Sequence, residues 1–298
     1  MKKMLSPKVV ICALFILILG TVLAGWLYLE HSLEKNFKNF IDAHEGLDIA
    51  YKELRTNPLK KSIELEQPQI NYGDAVSLKA RRIVIHNPAV QNKIPVKMTL
   101  KATALDIQKF FPSLELTRQV ERSGSNLSEI NGVLAYEYHP QENRLEIPRI
   151  ILDNPDLGLF CAGLALSSLD INYLISLQNP FLLGAALLGI SIDHFQAGYK
   201  DQGMVKRLAE LNGWDNQTGS KEGEQDPAPF LRGLSPDNSI PAQKFLRAQK
   251  PLTIEIFPPE PVPFSAILAS QDQEAAAQLL NLKITNQKPD FCVSLEDQ

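Results

Sequence analysis

The sequence holds little of what catalysis and metal binding are usually built from. Its 298 residues include three cysteines and five histidines. Cys12, Cys161 and Cys292 form no CxxC pair, and His31, His44, His86, His139 and His194 are scattered, none at ligand spacing from another His or Cys. That pattern argues against zinc-ribbon and dithiol-redox motifs. An HExxH helix, a GxSxG elbow and a Gly-rich nucleotide loop are also missing. We therefore expect no cofactor, no metal and no catalytic residues. The nearest catalytic cue is His194 beside Asp193, and adjacency in sequence does not supply the geometry of base catalysis. A hydrolase with a dispersed site is kept as a minor alternative.

Positive charge is scarce after the N-terminus. Lys2, Lys3 and Lys8 are the only charges before Glu30, which leaves the rest with 27 basic and 34 acidic residues, a net charge of −7. Such a surface repels phosphate backbones, so nucleic acid is not an expected partner. Fixed-period repeats are absent too, which argues against propellers and strict solenoids.

What is present begins with a long charge-free run. Val9 to Leu29, VVICALFILILGTVLAGWLYL, has no charge in 21 positions. As a helix it is about 31 Å long, the thickness of a bilayer's hydrocarbon core. Lysines precede it and Glu30 follows, which places the short tail, residues 1–8, in the cytoplasm. Lys8 sits at one interface and Trp26 and Tyr28 at the other, where aromatic belts lie. The competing reading is a cleaved signal peptide, with Val22 and Ala24 as small residues before the cut. The apolar run continues past that point through Leu29, which favours an anchor. Either way the bulk of the chain is exported.

A second uncharged stretch lies between Asp170 and Asp193, INYLISLQNPFLLGAALLGISI. Asn172, Gln178, Asn179 and Pro180 interrupt it, and buried amides are costly in lipid. A core helix and strand is the expected reading, with a membrane-dipping segment and a second span as alternatives.

After a polar stalk, residues 30–45, with helical spacing at Leu33, Phe37 and Ile41, alternation takes over. Ile63 and Leu65 alternate with glutamates. Val76, Leu78 and Ala80 alternate with Ser77 and Lys79, and Ile83 and Ile85 continue the segment. Val96, Met98, Leu100 and Ala102 alternate with Lys97, Thr99 and Lys101. Period two means sheet with one dry and one wet face, the habit of antiparallel pairing. Val133–Tyr138, Leu145–Leu152 and Leu157–Leu166 are further strands, the last apolar on both faces and so central. Asn87-Pro88 and Asn154-Pro155 read as turns.

The last third changes character. Ile190–Tyr199 reads as a strand, followed by a helix capped at Asp201 with Met204, Leu208 and Leu211 as its stripe and Gly213 past its end. Asn216 to Asn238 reads as an exposed linker. Thr253–Phe257 is a strand, Ser270 and Gln273 have capping-box spacing for a helix through Leu280, and Leu282–Thr285 closes with a strand. The expected architecture is α+β. An N-terminal transmembrane helix is followed by a mainly antiparallel, curved sheet domain over residues 46–199. An α+β part spans 200–298, holds most of the helices and has a flexible linker at about 213–238.

Smaller features have plain explanations. Glu222, Glu224 and Asp226 lack the spacing of a calcium loop. FPPEPVPF, Phe257 to Phe264, fits a strand exit as well as a polyproline ligand. Asn126-Leu127-Ser128 and Asn216-Gln217-Thr218 are sequons that matter only in a eukaryotic compartment. Cys161 and Cys292 are either a disulfide or two small buried apolar residues.

LDIAYKELRTNPLKKSIELEQPQI, Leu47 to Ile70, with VSLKARRIVI after it, resembles the start of the AsmA-like and YdgA-like bacterial envelope proteins. GYKDQGMVKRLAE and LTIEIFPPEPVPFSAIL, Gly198 to Glu210 and Leu252 to Leu268, look like segments of bacterial exported proteins. The resemblance implies an inner-membrane anchor, a periplasmic curved sheet and a part in envelope or lipid maintenance, and it supplies no catalytic residues. On this basis the sheet is expected to form a lipid groove. Val76, Leu78 and Ala80 with Val96, Met98 and Leu100 would line it, and Phe181 to Leu188, with Phe181, Leu182 and Leu183 among them, would form its mouth or face the bilayer. The alternative is an accessory subunit of a secretion or envelope-assembly complex.

Overall fold

The computed structural model describes residues 34, 35, 37–39, 47–72, 76–91, 94–106, 129–177, 180–205, 207, 234–248, 250–270, 272–287 and 292. The run Val9–Leu29, with Cys12, Lys8, Trp26 and Tyr28, lies outside them. So do Leu33 and Ile41, the sequons, the 222–226 acids, and Leu208, Leu211 and Gly213, as do the side chains of Val76 and Phe181. Among the described residues no helix is long and apolar enough to cross a membrane.

Alternating sequence becomes mostly antiparallel sheet with a few helices. A small sheet has the order β1-β4-β5, where β1 is Leu47–Ala50, β4 Gln69–Tyr72 and β5 Val76–Lys79. The large sheet is built from β2 (Glu53–Asn57), β3 (Ser62–Glu66), β6 (Arg82–Gln91), β7 (Ile94–Leu105), β8 (Ile130–His139) and β9 (Arg144–Asn154). It continues with β10 (Gly158–Ser167), β11 (Ser191–Asp201), β12 (Leu252–Ile256) and β14 (Leu282–Thr285). Its order is β14-β12-β11-β10-β9-β8-β7-β6-β3-β2, with β13 (Val262–Pro263) paired on β11, eleven strands in all. Every pairing is antiparallel.

The uncharged stretch after Asp170 breaks into two short helices, α1 (Ile171–Ser176) and α2 (Pro180–Leu188). Asp170 caps α1 by accepting from the Tyr173 N–H at 3.0 Å. The buried Tyr138 hydroxyl donates to the Leu169 carbonyl and accepts from the Ile171 N–H, which pins this turn to β8. Helix α3 (Pro236–Ala248) starts inside the stretch read as linker. Two prolines, Pro236 and Pro241, and a run of polar residues hide its helical period. Helices α4 (Phe264–Leu268) and α5 (Gln273–Leu279) follow β13. The cap of α5 is Asp272, which accepts from Ala275 N–H at 2.8 Å, whereas the Ser270 hydroxyl donates back to the Ala266 carbonyl.

Two expected breaks fall elsewhere. The segment from Val76 to Ile85 is two strands in two sheets, since the chain turns at Ala80-Arg81 and joins the large sheet at Arg82. Asn87-Pro88 is a bulge rather than a turn. Asn87 has φ +49°, and the register steps from His86↔Thr99 to Ala89↔Lys97 while β6 runs on to Gln91. Proline cannot donate to the ladder, so a bulge is where a strand tolerates it. Asn154-Pro155 is a turn, with the Asn154 side-chain oxygen accepting from the Asp156 and Leu157 N–H groups at 2.9 Å each.

Candidate functional site

Antiparallel register puts directly opposed residues on one face. One row therefore crosses the whole large sheet: Thr56, Ile63, Ile85, Leu100, Leu134, Ile150, Ala162, Ala197, Ile254 and Ile284. The next row on that face reads Leu54, Leu65, Ile83, Ala102, Gly132, Leu152, Phe160, Tyr199 and Leu252. Neither row contains a charge. The row between them faces the other way and reads Arg55, Glu64, Val84, Lys101, Val133, Ile151, Cys161, Gly198, Thr253 and Thr285. The sheet thus has one apolar face and one mixed face.

The apolar face is covered at its two ends. Over β2, β3, β6 and β7 lies a cluster of Phe37, Ile63, Leu65, Ala80 and Ile83, against which Ile49, Ile70, Leu78, Leu100 and Ala102 pack. Here the small sheet closes on the large one. Over β12 and β14 lies α3, whose Ala242 and Leu246 cluster with Ile284, Leu252 and Ile254. Its Phe245 ring meets Tyr199 edge-on, with centroids 5.7 Å apart. At this end the buried Asn238 amide donates to the Leu282 carbonyl at 3.0 Å and accepts from the Ile284 N–H at 2.8 Å, so it occupies the outer edge of β14. An open edge invites pairing with another chain, and this amide blocks it.

Between the covers a strip stays half-buried: Leu134 and Tyr136 of β8, Ile150 and Leu152 of β9, and Phe160 and Leu164 of β10. Neither buried cluster includes these six side chains, and Ala162, between Phe160 and Leu164, is buried. Three strands side by side make a strip of the order of 15 Å wide. Burial beside this strip pushes the Tyr136 phenol up to about 12.

The residues expected to line a groove are divided by this arrangement. Leu78, Ala80 and Leu100 are brought together, but inside the packed cluster between the two sheets. Val96 and Met98 are half-buried on β7. Leu182 and Leu183 are on α2, 47% and 36% exposed. Alternation told which residues share a face; which part of the face is covered depends on long-range packing and had no local signal.

The mixed face carries cross-strand ion pairs at one end and an apolar island in the middle. Arg82 grips Glu64 with two contacts of 2.5 and 2.6 Å, and Lys97 meets Glu137 at 2.6 Å. The Lys97 ammonium holds the Glu137 carboxyl below the usual carboxylate range. The island is Val133, Ile151, Leu159 and Cys161, and Cys292 closes over it. Cys161 and Cys292 form a disulfide, Cα to Cα 5.7 Å, across 131 positions of sequence. The bond ties Cys292 to β10, three strands away from β14, which ends at Thr285. The Thr253 hydroxyl on the same face donates to the Gln287 carbonyl at 2.7 Å.

Asp193 and His194 do not form a dyad. Asp193 sits in a bulge, where the register passes from Ala165↔His194 to Leu166↔Ile192. The Ser167 hydroxyl donates to its carboxylate, and Arg144 Nε stands 3.4 Å away. The His194 ring is stacked on Phe257 at 5.8 Å. Among the described residues no three His, Cys, Asp or Glu side chains are placed to hold a metal.

A family model described only as an uncharacterized protein matches residues 152–287, from the end of β9 to just past β14. No curated protein matches the chain.

Proposed function

We propose that this chain is a non-enzymatic, membrane-tethered envelope protein whose half-open apolar strip holds lipid hydrocarbon. In this reading Val9–Leu29 is a single span of a bacterial inner membrane, with residues 1–8 in the cytoplasm and the sheet domain, curved as in AsmA-like and YdgA-like proteins, in the periplasm. The observation that carries it is the strip of β8, β9 and β10. Two rows without a charge cross the sheet, packed clusters lie over both ends, and between them Leu134, Tyr136, Ile150, Leu152, Phe160 and Leu164 are half-buried. A water-facing apolar strip of this size is unfavourable unless something apolar lies on it. The Cys161–Cys292 bond supports an oxidising compartment.

The test is lipid mass spectrometry on the full chain after gentle solubilisation, with two variants. Ile150→Asp places a charge on the strip and should remove copurifying lipid while leaving the thermal transition near that of the wild type. Leu65→Asp, at a position 1% exposed in the core, should abolish folding, because a buried unpaired charge is among the costliest single changes. Wild-type lipid occupancy in a folded Ile150→Asp protein, or no lipid on the wild type, overturns the reading. The second reading, an accessory subunit of an envelope complex, draws on the exposed apolar helix α2 and predicts a protein neighbour there.

A further inference from the structure

The two outermost strands of the large sheet are finished differently. At β14 the Asn238 amide takes up outward-facing backbone groups. At the other end β2 pairs only with β3 among the described residues. The Glu66 carbonyl of β3 accepts from the Lys52 N–H at 2.9 Å, so the Glu66 backbone is turned toward β2. The next residue turns away, its Gln67 N–H donating to the Arg81 carbonyl at 2.8 Å. Alternation along the ladder then directs the backbone groups of Glu53, Arg55 and Asn57 to β3, and those of Leu54 and Thr56 outward. A row of outward N–H and C=O groups is a template for a further strand.

Charge of one sign guards such an edge by repulsion, but the charges of β2 are of both signs and complement themselves. The side chains of Glu53 and Arg55 stand on the mixed face, 47% and 62% exposed, and the Arg55 guanidinium holds Glu53 by two bonds of 2.8 Å. If a second β2 lies antiparallel with Leu54 opposite its own copy, Glu53 of each chain opposes Arg55 of the other. Four charges then alternate in sign around a square, and the pair inside each chain is kept. Sliding the strands by two residues puts Arg55 against Arg55 or Glu53 against Glu53, and like charges directly opposed are destabilising. Sliding by one residue puts Leu54 on the charged face. One register remains, and in it Leu54, which packs against the buried cluster under the small sheet, meets Leu54 on the apolar face.

We infer that β2 is an interface with a second copy of this chain, the two sheets joined by antiparallel pairing about Leu54. The geometry suits two chains held in one membrane. Opposed residues share a face, so the twofold axis runs through the sheet and the apolar faces of both copies look the same way. Each copy carries its buried Phe37 in the cluster over that face, so the two N-terminal segments lie on one side of the joined sheet. A strand of five residues makes a small contact, and the dimer is therefore weak and reversible, strengthened where both copies are confined together. The pairing requires no lipid on the strip and does not rest on the lipid reading.

The test is disulfide cross-linking of the full chain in intact cells, in a Cys12→Ser background with the Cys161–Cys292 bond kept. One copy carries Glu53→Cys and the other Arg55→Cys. In the inferred register these positions are directly opposed without mutual hydrogen bonds, about 4.5 Å apart at Cα, within reach of a disulfide. Either variant alone sets its cysteines on the diagonal at about 7–8 Å, beyond that reach. Cells making both variants should give several-fold more linked dimer than cells making one. Leu54→Cys, which faces itself, should also link; adding Glu53→Arg should suppress the link, and adding Arg55→Glu as well should restore it. A thermal midpoint near that of the wild type identifies the folded variants that are compared. Absence of linked dimer from the mixed cells overturns the inference. So does equal linking by each variant alone, which is random collision, or a Leu54→Cys link that Glu53→Arg leaves unchanged.

Discussion

Removing the Cys161–Cys292 bond tests the organisation of the mixed face. Cys292→Ser frees the C-terminal segment from β10 and uncovers the island of Val133, Ile151, Leu159 and Cys161, where Ile151 and Cys161 are 0% and 1% exposed. The bond closes a loop with a sequence separation of 131, for which the chain-entropy relation gives about 5 kcal/mol, and measured disulfides of this kind fall at roughly 2–5 kcal/mol. For a domain of this size that corresponds to a drop of roughly 5–15 °C in the midpoint. The assay is denaturant and thermal unfolding of the full chain in detergent, comparing the wild type, the wild type with reductant, and Cys292→Ser. Reduced wild type and the variant should coincide, both below the oxidised protein. Two alkylatable thiols besides Cys12 in protein taken directly from membranes, together with no reductant effect on unfolding, would refute the reasoning. The apolar strip lies on the other face, so lipid occupancy should survive reduction.

Asn238→Ala leaves the Leu282 carbonyl and the Ile284 N–H without their side-chain partner, and should lower stability by about 2–4 kcal/mol. The bared β14 edge should also make the variant associate with rising concentration, measured by light scattering; a monodisperse, fully stable variant would refute the edge-blocking role. Gly158 has φ +116°, and an added Cβ would overlap the Lys200 carbonyl oxygen. Gly158→Ala should therefore cost about 2–4 kcal/mol in denaturant unfolding, and a neutral result would mean that the β9–β10 turn rearranges.

Strands were legible wherever one face is dry. The alternations at Ile63 and Leu65 and at Val96 to Ala102 each state a face, and pairing only had to bring equal faces together. Leu157 to Leu166, apolar on both sides, lies between β9 and β11 because each of its faces meets apolar neighbours: Cys161 toward Cys292, Phe160 toward the half-open strip. What stayed hidden was set by events far along the chain. The turn at Ala80-Arg81 shows in the sequence only as a phase slip, from even apolar positions (Val76, Leu78, Ala80) to odd ones (Ile83, Ile85). Helix α3 was masked by prolines and polar residues, and its reason for existing is the apolar end of β12 and β14, which follow it in the chain. Leu78 and Leu100 have the same local pattern as Leu134 and Ile150. All four are half-buried, but the first pair packs against a buried cluster because Phe37 and the small sheet come back over it.

The contrast between the two faces of β9 and β10 bears most directly on function. On the mixed face Cys292 lies on the apolar island and is bonded there to Cys161. On the apolar face Leu134, Tyr136, Ile150, Leu152, Phe160 and Leu164 are half-buried, between the small sheet's cluster over β7 on one side and α3, reaching Tyr199, on the other. The strands between them follow one another as a meander, β8 to β9 to β10, so neighbours in the sheet are neighbours in sequence and the turn between β9 and β10 is short. A meander builds a wide face without lending any helix to cover it. Among the described residues, the chain thus covers the island on one face with the bonded Cys292 and leaves the strip on the other face half-buried. Burial of that strip by a bound apolar ligand would recover about 25 cal/mol for each Å² removed from water, which is the driving force the lipid reading requires and the one that a charge at Ile150 abolishes.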